Sequence, residues 1–153
     1  MIQELQLHKQ EVAQQILALQ LPAYRVEAGI IGSDAIPALR DTVESLMSSG
    51  ETFYGWFEDG ELAGAIAYKL EDGELDIHRL IVHPNHFRKG IGRRLLQYVM
   101  EEHSLVKKYI VATGSKNVPA IQLYLSEGFI EVGGFEPVPG LPITNLEKIV
   151  LAE

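Results

Sequence analysis

The chain has no cysteine among its 153 residues, so disulfides, thiolate metal sites and a cysteine nucleophile are all excluded. It also lacks any apolar run near the 18 or so residues that a membrane span requires, and no membrane partner is expected. The opening residues, MIQELQLHKQ, lack the basic stretch followed by apolar residues that marks a secretory leader, so the expected location is cytoplasmic. Bases are scarce: 13 Lys and Arg stand against 21 Asp and Glu, a net charge of −8. That balance argues against a nucleic-acid partner, whose phosphates reward a basic face, and favours a cationic substrate. What is present is ordinary for a globular protein, with 46% apolar and 22% charged residues. The length suits one domain over residues 1–153, large enough to bury about 70% of its unfolded surface.

Periodicity along the chain gives an α+β order of two helices, three strands, a helix, a strand, a helix and two strands. Val12, Ile16, Leu17 and Leu19 mark a helix over 8–20, which Pro22 is expected to stop. Ser33 and Asp34 are placed to cap a second helix running to about Ser48. Three strands follow at about 52–58, 61–71 and 74–82, separated by the hairpin signals Asp59-Gly60 and Asp72-Gly73. A helix after Gly92 puts Ile91, Leu95, Leu96 and Val99 on one face. KKYIVAT (107–113) reads as a buried strand. Asn117 and Pro119 open another helix, and Gly128 is placed to end it. FIEVGGFE (129–136) and NLEKIVLAE (145–153) read as the last two strands.

One segment departs from the acidic background. Between Arg79 and Arg94 the chain carries five bases and no acid, around Gly90-Ile91-Gly92 at a helix start. Glycines let backbone N–H groups approach a ligand closely, and a helix N-terminus favours an anion. The arrangement suits a phosphate or pyrophosphate; the plain alternative is a turn with solvated bases. It is not a Walker A loop, since no Gly-Lys-Ser/Thr follows. It is not a dinucleotide fingerprint either, because Leu95 stands where a third glycine belongs.

Two segments resemble motifs of the GNAT superfamily of N-acetyltransferases. LIVHPNHFRKGIGRRLL is similar to the strand, Val-x-Pro, Gln/Arg-x-x-Gly-x-Gly/Ala and helix that bind acetyl-coenzyme A. NVPAIQLYLSEGF (117–129) is similar to the second motif, Asn with a Tyr seven residues on and then Gly-Phe. The likeness covers residues 50–136 well and the first 50 by element type. It implies a mixed, mostly antiparallel sheet of six to seven strands flanked by about four helices. It also implies an enzyme that moves acetyl from acetyl-coenzyme A directly to a primary amine. Phe87 departs from the motif's Gln/Arg, and that contribution is either missing or supplied by Arg88.

The resemblance further implies that the backbone of Leu80, Ile81 and Val82 pairs with the pantetheine arm. Arg88, Lys89, Gly90, Ile91, Gly92 and Arg93 would hold the pyrophosphate, and Asn117 would bond the pantetheine or phosphate region. Asn117 read plainly is a helix cap. Tyr124 matches the family's general acid, which protonates the departing thiolate; read plainly it is a core aromatic. Glu74, Asp76 and His78 alternate on one strand and so share a face. Asp76 is the counterpart of the carboxylate base that some members use, His78 has the better pKa for proton transfer at neutral pH, and other members use water chains. The plain alternative is a solvated strand face.

The amine is expected to enter beside the first helices, around LPAYRVEAGIIG (21–32), where Tyr24 and Glu27 are polar groups in an apolar setting. The acceptor is a small-molecule or protein amine, and a homodimer is compatible with the sequence. His83 and His86 flank Pro84 but have no third ligand at usual spacing, so no metal is expected. Two other readings compete: a non-catalytic acyl-coenzyme A sensor of the same fold, and a nucleotide-binding oxidoreductase domain. Seven acids between Glu58 and Asp76, against the single base Lys69, suggest that the strand meander attracts the amine while Arg79 to Arg94 serves the cofactor.

Overall fold

The two Asp-Gly turns set the middle of the sheet. Asp59, Gly60, Asp72 and Gly73 all adopt positive φ, the geometry of a tight hairpin that matches strand twist. In a computed structural model that describes residues 1–150, they join β2 (Thr52–Glu58), β3 (Glu61–Glu71) and β4 (Glu74–Val82) into an antiparallel meander. β1 (Ile2–Leu5), a strand too short to show periodicity in the sequence, adds to the edge of β2. After β4 the chain crosses through α3 (Ile91–Glu102) to β5 (Lys108–Gly114), which pairs in parallel with β4. α4 (Val118–Ser126) then leads to the hairpin of β6 (Ile130–Val138) and β7 (Leu141–Ile149), giving one seven-stranded sheet in the order β1-β2-β3-β4-β5-β7-β6. The last strand therefore starts and ends earlier than expected, and residues 151–153 of that expectation lie outside the described residues.

The N-terminal helices differ most from expectation. α1 runs from Gln10 to Ile31, straight through Pro22, and ends at Gly32 in the left-handed conformation. A proline inside a helix costs about 3 kcal/mol. Burial of Ala13, Ile16, Leu19, Ala23, Tyr24 and Ile31 on the α1 side of the sheet offsets that cost. The helix expected from Ser33 to Ser48 is instead a 3₁₀ turn, Pro37–Arg40, and the short α2, Val43–Met47. Thr42 and Ser45 form a reciprocal capping box at its start, so the cap is Thr42 and not Ser33 or Asp34.

The sheet carries two cores, one on each face. α1 and α2 cover one, with Phe53, Ala65, Ala67 and Ile81 pointing into it. α3 and α4 cover the other, with Ile66, Tyr68, Leu75, Ile77, Leu96, Tyr124 and Phe129. A bulge opposite Ala67 and Tyr68 inserts His78 into β4. Strict alternation breaks there, so His78 and Arg79 both turn to the α1 side while Leu75, Ile77 and Leu80 keep to the other. β4 and β5 pair only from Glu74↔Lys108 to Ile77↔Val111. Past the bulge they diverge, and in that gap the two layers meet.

Candidate active site

The gap leaves the β5-facing edge of Leu80, Ile81 and Val82 without a strand partner, because β5 turns away to pair along its length with β7. An extended ligand could add there as a strand. Directly beyond lies the loop into α3. Gly90 is its N-cap, with φ of 76° and open space where a Cβ would stand. Arg88 also has positive φ, 66°, an uncommon state for a residue with a side chain. The first amide of this helix to reach a carbonyl is that of Arg94, on Gly90 O at 3.1 Å, so the amides of Ile91, Gly92 and Arg93 are left for a ligand. A Cβ on Gly92 would meet only Val82 and Leu123, at 3.7 and 3.8 Å, so packing within the protein does not demand glycine there.

The basic side chains are less uniform than the sequence suggested. Arg93 donates to Ser126 and Glu127 at the end of α4. Lys89 Nζ lies 3.0 Å from His86 Nδ1, and His83 Nδ1 accepts from the Asn85 amide, so both histidines are engaged within the loop. Phe87 is half-exposed. Arg79, expected to serve the cofactor, belongs to another site. It donates to Asp41 Oδ2 at 2.6 Å, to Gln20 Oε1 at 3.1 Å and to Glu51 Oε1 at 2.8 Å. The acids of the meander are split as well. Glu58 sits near Lys89 at the loop end, while Glu74 and Asp76 lie beyond the opposite turn.

On the α1 side the gap opens into a cavity of about 450 Å³. Tyr24 and Glu27 enter it from one face of α1, one turn apart. Asp76, His78 and Arg79 enter from β4, Asn117 and Tyr124 from the start and middle of α4, and Glu51 and Asp41 from the segments before β2. Glu74 does not line it. Tyr124 is only 3% exposed, its ring edge-on to Phe129 at 5.3 Å, and its hydroxyl has no protein partner among the described residues. Burial, and secondarily the Glu27 carboxylate, raises its pKa well above the usual phenol value, so it is a neutral donor at physiological pH. Asn117 lines the cavity and also caps α4, its Oδ1 accepting from the Ala120 amide at 3.4 Å.

The proton-accepting groups form a chain. Asp76 Oδ2 lies 3.4 Å from His78 Nε2, and His78 Nδ1 lies 3.1 Å from Glu51 Oε2. Burial raises the pKa of Asp76, with His78 opposing, which brings a carboxylate closer to the range of a useful base. Burial likewise raises that of Glu27. For Asp41, burial works upward, but hydrogen bonds from Arg79, Gln20 and Ser45 outweigh it and hold the carboxyl low. Glu51, Asp41, Gln20 and the placement of Arg79 were invisible in the sequence, where they are spread over sixty positions.

The family model described as Acetyltransferase (GNAT) family matches residues 13–129. The chain belongs to the GNAT acetyltransferase family. UPF0157 protein YqkA of Bacillus subtilis (strain 168) is 43% identical over 141 residues, 92% of this chain and 41% of that protein. The chain thus spans about two fifths of that relative's length. The GNAT fold is equally plain in solved structures. The ribosomal-protein-S18-alanine N-acetyltransferase of Escherichia coli superposes with a TM-score of 0.79 at 18% identity, covering all of this chain and 95% of that one. YncA of Salmonella typhimurium, described as a putative acetyltransferase with its cofactor acetyl-CoA, gives 0.76 at 18% identity over the same shares. No helix among the described residues is long and apolar enough to cross a membrane.

Proposed function

We propose that the chain transfers acetyl directly from acetyl-coenzyme A to a primary amine. The observation that carries this reading is the gap between β4 and β5. It presents an unpaired strand edge and an open glycine loop on one side, and on the other a cavity holding a neutral phenol and a raised carboxylate. The residues fit the cofactor. The amides from Arg88 to Arg93 would take the pyrophosphate, the edge of Leu80 to Val82 the pantetheine arm, and Asn117 the region between.

In the reaction, Asp76 accepts one proton from the acceptor ammonium, assisted by His78, which can pass it to solvent. The freed amine attacks the thioester carbon, the C–N bond forms and the C–S bond breaks. Tyr124 donates its proton to the departing sulfur, and the second proton lost by the nitrogen restores the phenol. A phenol is a weaker acid than a thiol of pKa about 8.5, and burial raises both, so the transfer relies on Tyr124 being held against the sulfur as the C–S bond breaks. With no cysteine in the chain, direct transfer in a ternary complex is the economical route.

The experiment is a panel of amines with acetyl-coenzyme A, read by free thiol release and by the mass of the acetylated product, alongside calorimetry with coenzyme A. Amine-dependent thiol release is expected. Tight coenzyme A binding with no release for any amine would replace this reading by a sensor.

A further inference from the structure

The one guanidinium in the cavity is already committed. Arg79 spends Nε and Nη1 on Glu51, Asp41 and Gln20, and its Nη2 reaches Glu51 at 3.5 Å. It has no fork left for a carboxylate brought in by an acceptor. The same cavity holds two groups with no partner among the described residues, of which Tyr24 also feels the Arg79 charge. The Tyr24 hydroxyl makes no hydrogen bond although the residue is 8% exposed, and Glu27, one turn further along α1, makes neither hydrogen bond nor ion pair. They are close enough to Tyr124 and to each other to interact electrostatically. Neither is sealed from solvent, so both are free to be completed by a ligand's donors, and a charged ligand group would gain the hydrogen bonds that the protein does not supply.

We propose that the acceptor is an aliphatic diamine: Asp76 faces the nitrogen to be acetylated, Glu27 and Tyr24 hold the second ammonium, and a carboxylate on the acceptor is rejected. This rests on the acetyl-transfer reading for the chemistry, though not for the binding. Glu27 offers the charge, and Tyr24 an oxygen lone pair beside it. A carboxylate would meet Glu27, Glu51 and Asp76 with no free cation to answer them.

The test compares three amines that differ by one group each: 1,5-diaminopentane, pentylamine, which lacks the second ammonium, and lysine, which adds one carboxylate. kcat/KM should be highest for diaminopentane, about tenfold lower for pentylamine and lower again for lysine, the scale of one charge-assisted hydrogen bond. Glu27→Gln should collapse the diaminopentane-to-pentylamine ratio toward one, with the melting temperature checking that the variant folds. Calorimetry of the same amines on protein saturated with coenzyme A reads the site without turnover. If diaminopentane binds there through Glu27 while no thiol is ever released, the acceptor site stands and acetyl transfer falls. If pentylamine or lysine matches diaminopentane in the wild-type protein, the diamine site is wrong whatever the turnover.

Discussion

Tyr124 shows what a single residue can and cannot reveal before the fold is known. Its distance from Asn117 and the Gly-Phe after it pointed to a role, yet the same positions suit an aromatic in a helix core. In the structure the ring packs on Phe129 and the residue lines the cavity, a placement compatible with either reading. Tyr124→Phe should therefore fold normally, leave acetyl-coenzyme A affinity near that of the parent and lower kcat by about 10²-fold, because the proton is needed only as sulfur departs. A variant with full turnover and a much lower melting temperature would make Tyr124 structural. That Asp76 lines the cavity was legible from its place on the strand. The place of Glu51 was not, because it contacts His78 and Arg79, partners more than 25 positions away that only the bulge brings round.

At the scale of elements, the middle of the chain was readable and its beginning was not. The meander from 52 to 82 was legible to the residue because Asp-Gly turns fix hairpin geometry locally. The path of α1 through Pro22 was not, since the burial that outweighs the local cost depends on a sheet made later in the chain. The loop into α3 falls between these cases: glycine spacing announced it, and the structure separates its two glycines. Gly90 is required by its positive φ, so replacing it distorts the loop whatever binds. Gly92 is not required by anything within the protein. Gly92→Ala should keep its melting temperature within a degree or so and still lose about tenfold in coenzyme A affinity, while Phe87→Ala changes that affinity little. Calorimetry giving equal losses for the two would show that side chains, not loop amides, carry the cofactor.

Charge is a property of the whole molecule, and here the structure redraws the map that the sequence suggested. The acids of the meander do not form one field: Glu58, Asp59 and Glu61 sit at the end of the sheet where the glycine loop lies, and Glu71, Asp72 and Glu74 at the other. Arg79, which the sequence suggested would serve the cofactor, lines the cavity on the α1 side, where Asp41 and Glu51 neutralise it. What remains to draw in an amine on the proposed reading is the net charge of −8 at long range and, within the cavity, Glu27 and Asp76. The first is screened readily, since the Debye length shrinks from about 30 Å at 0.01 M salt to about 10 Å at 0.1 M, and the second is screened less because the groups are partly enclosed. The same net charge repels the polyanionic cofactor at a distance, so salt relieves that repulsion while weakening the local pull of Arg88 and Lys89. Raising salt over that range should therefore lower kcat/KM for the amine, mostly through KM, and change the KM for acetyl-coenzyme A much less. The decline should flatten at higher salt, where only the enclosed carboxylates still act. Steady-state kinetics across the series decides it: an amine KM indifferent to ionic strength would mean that neither the field of the molecule nor the carboxylates of the cavity recruit the acceptor by charge.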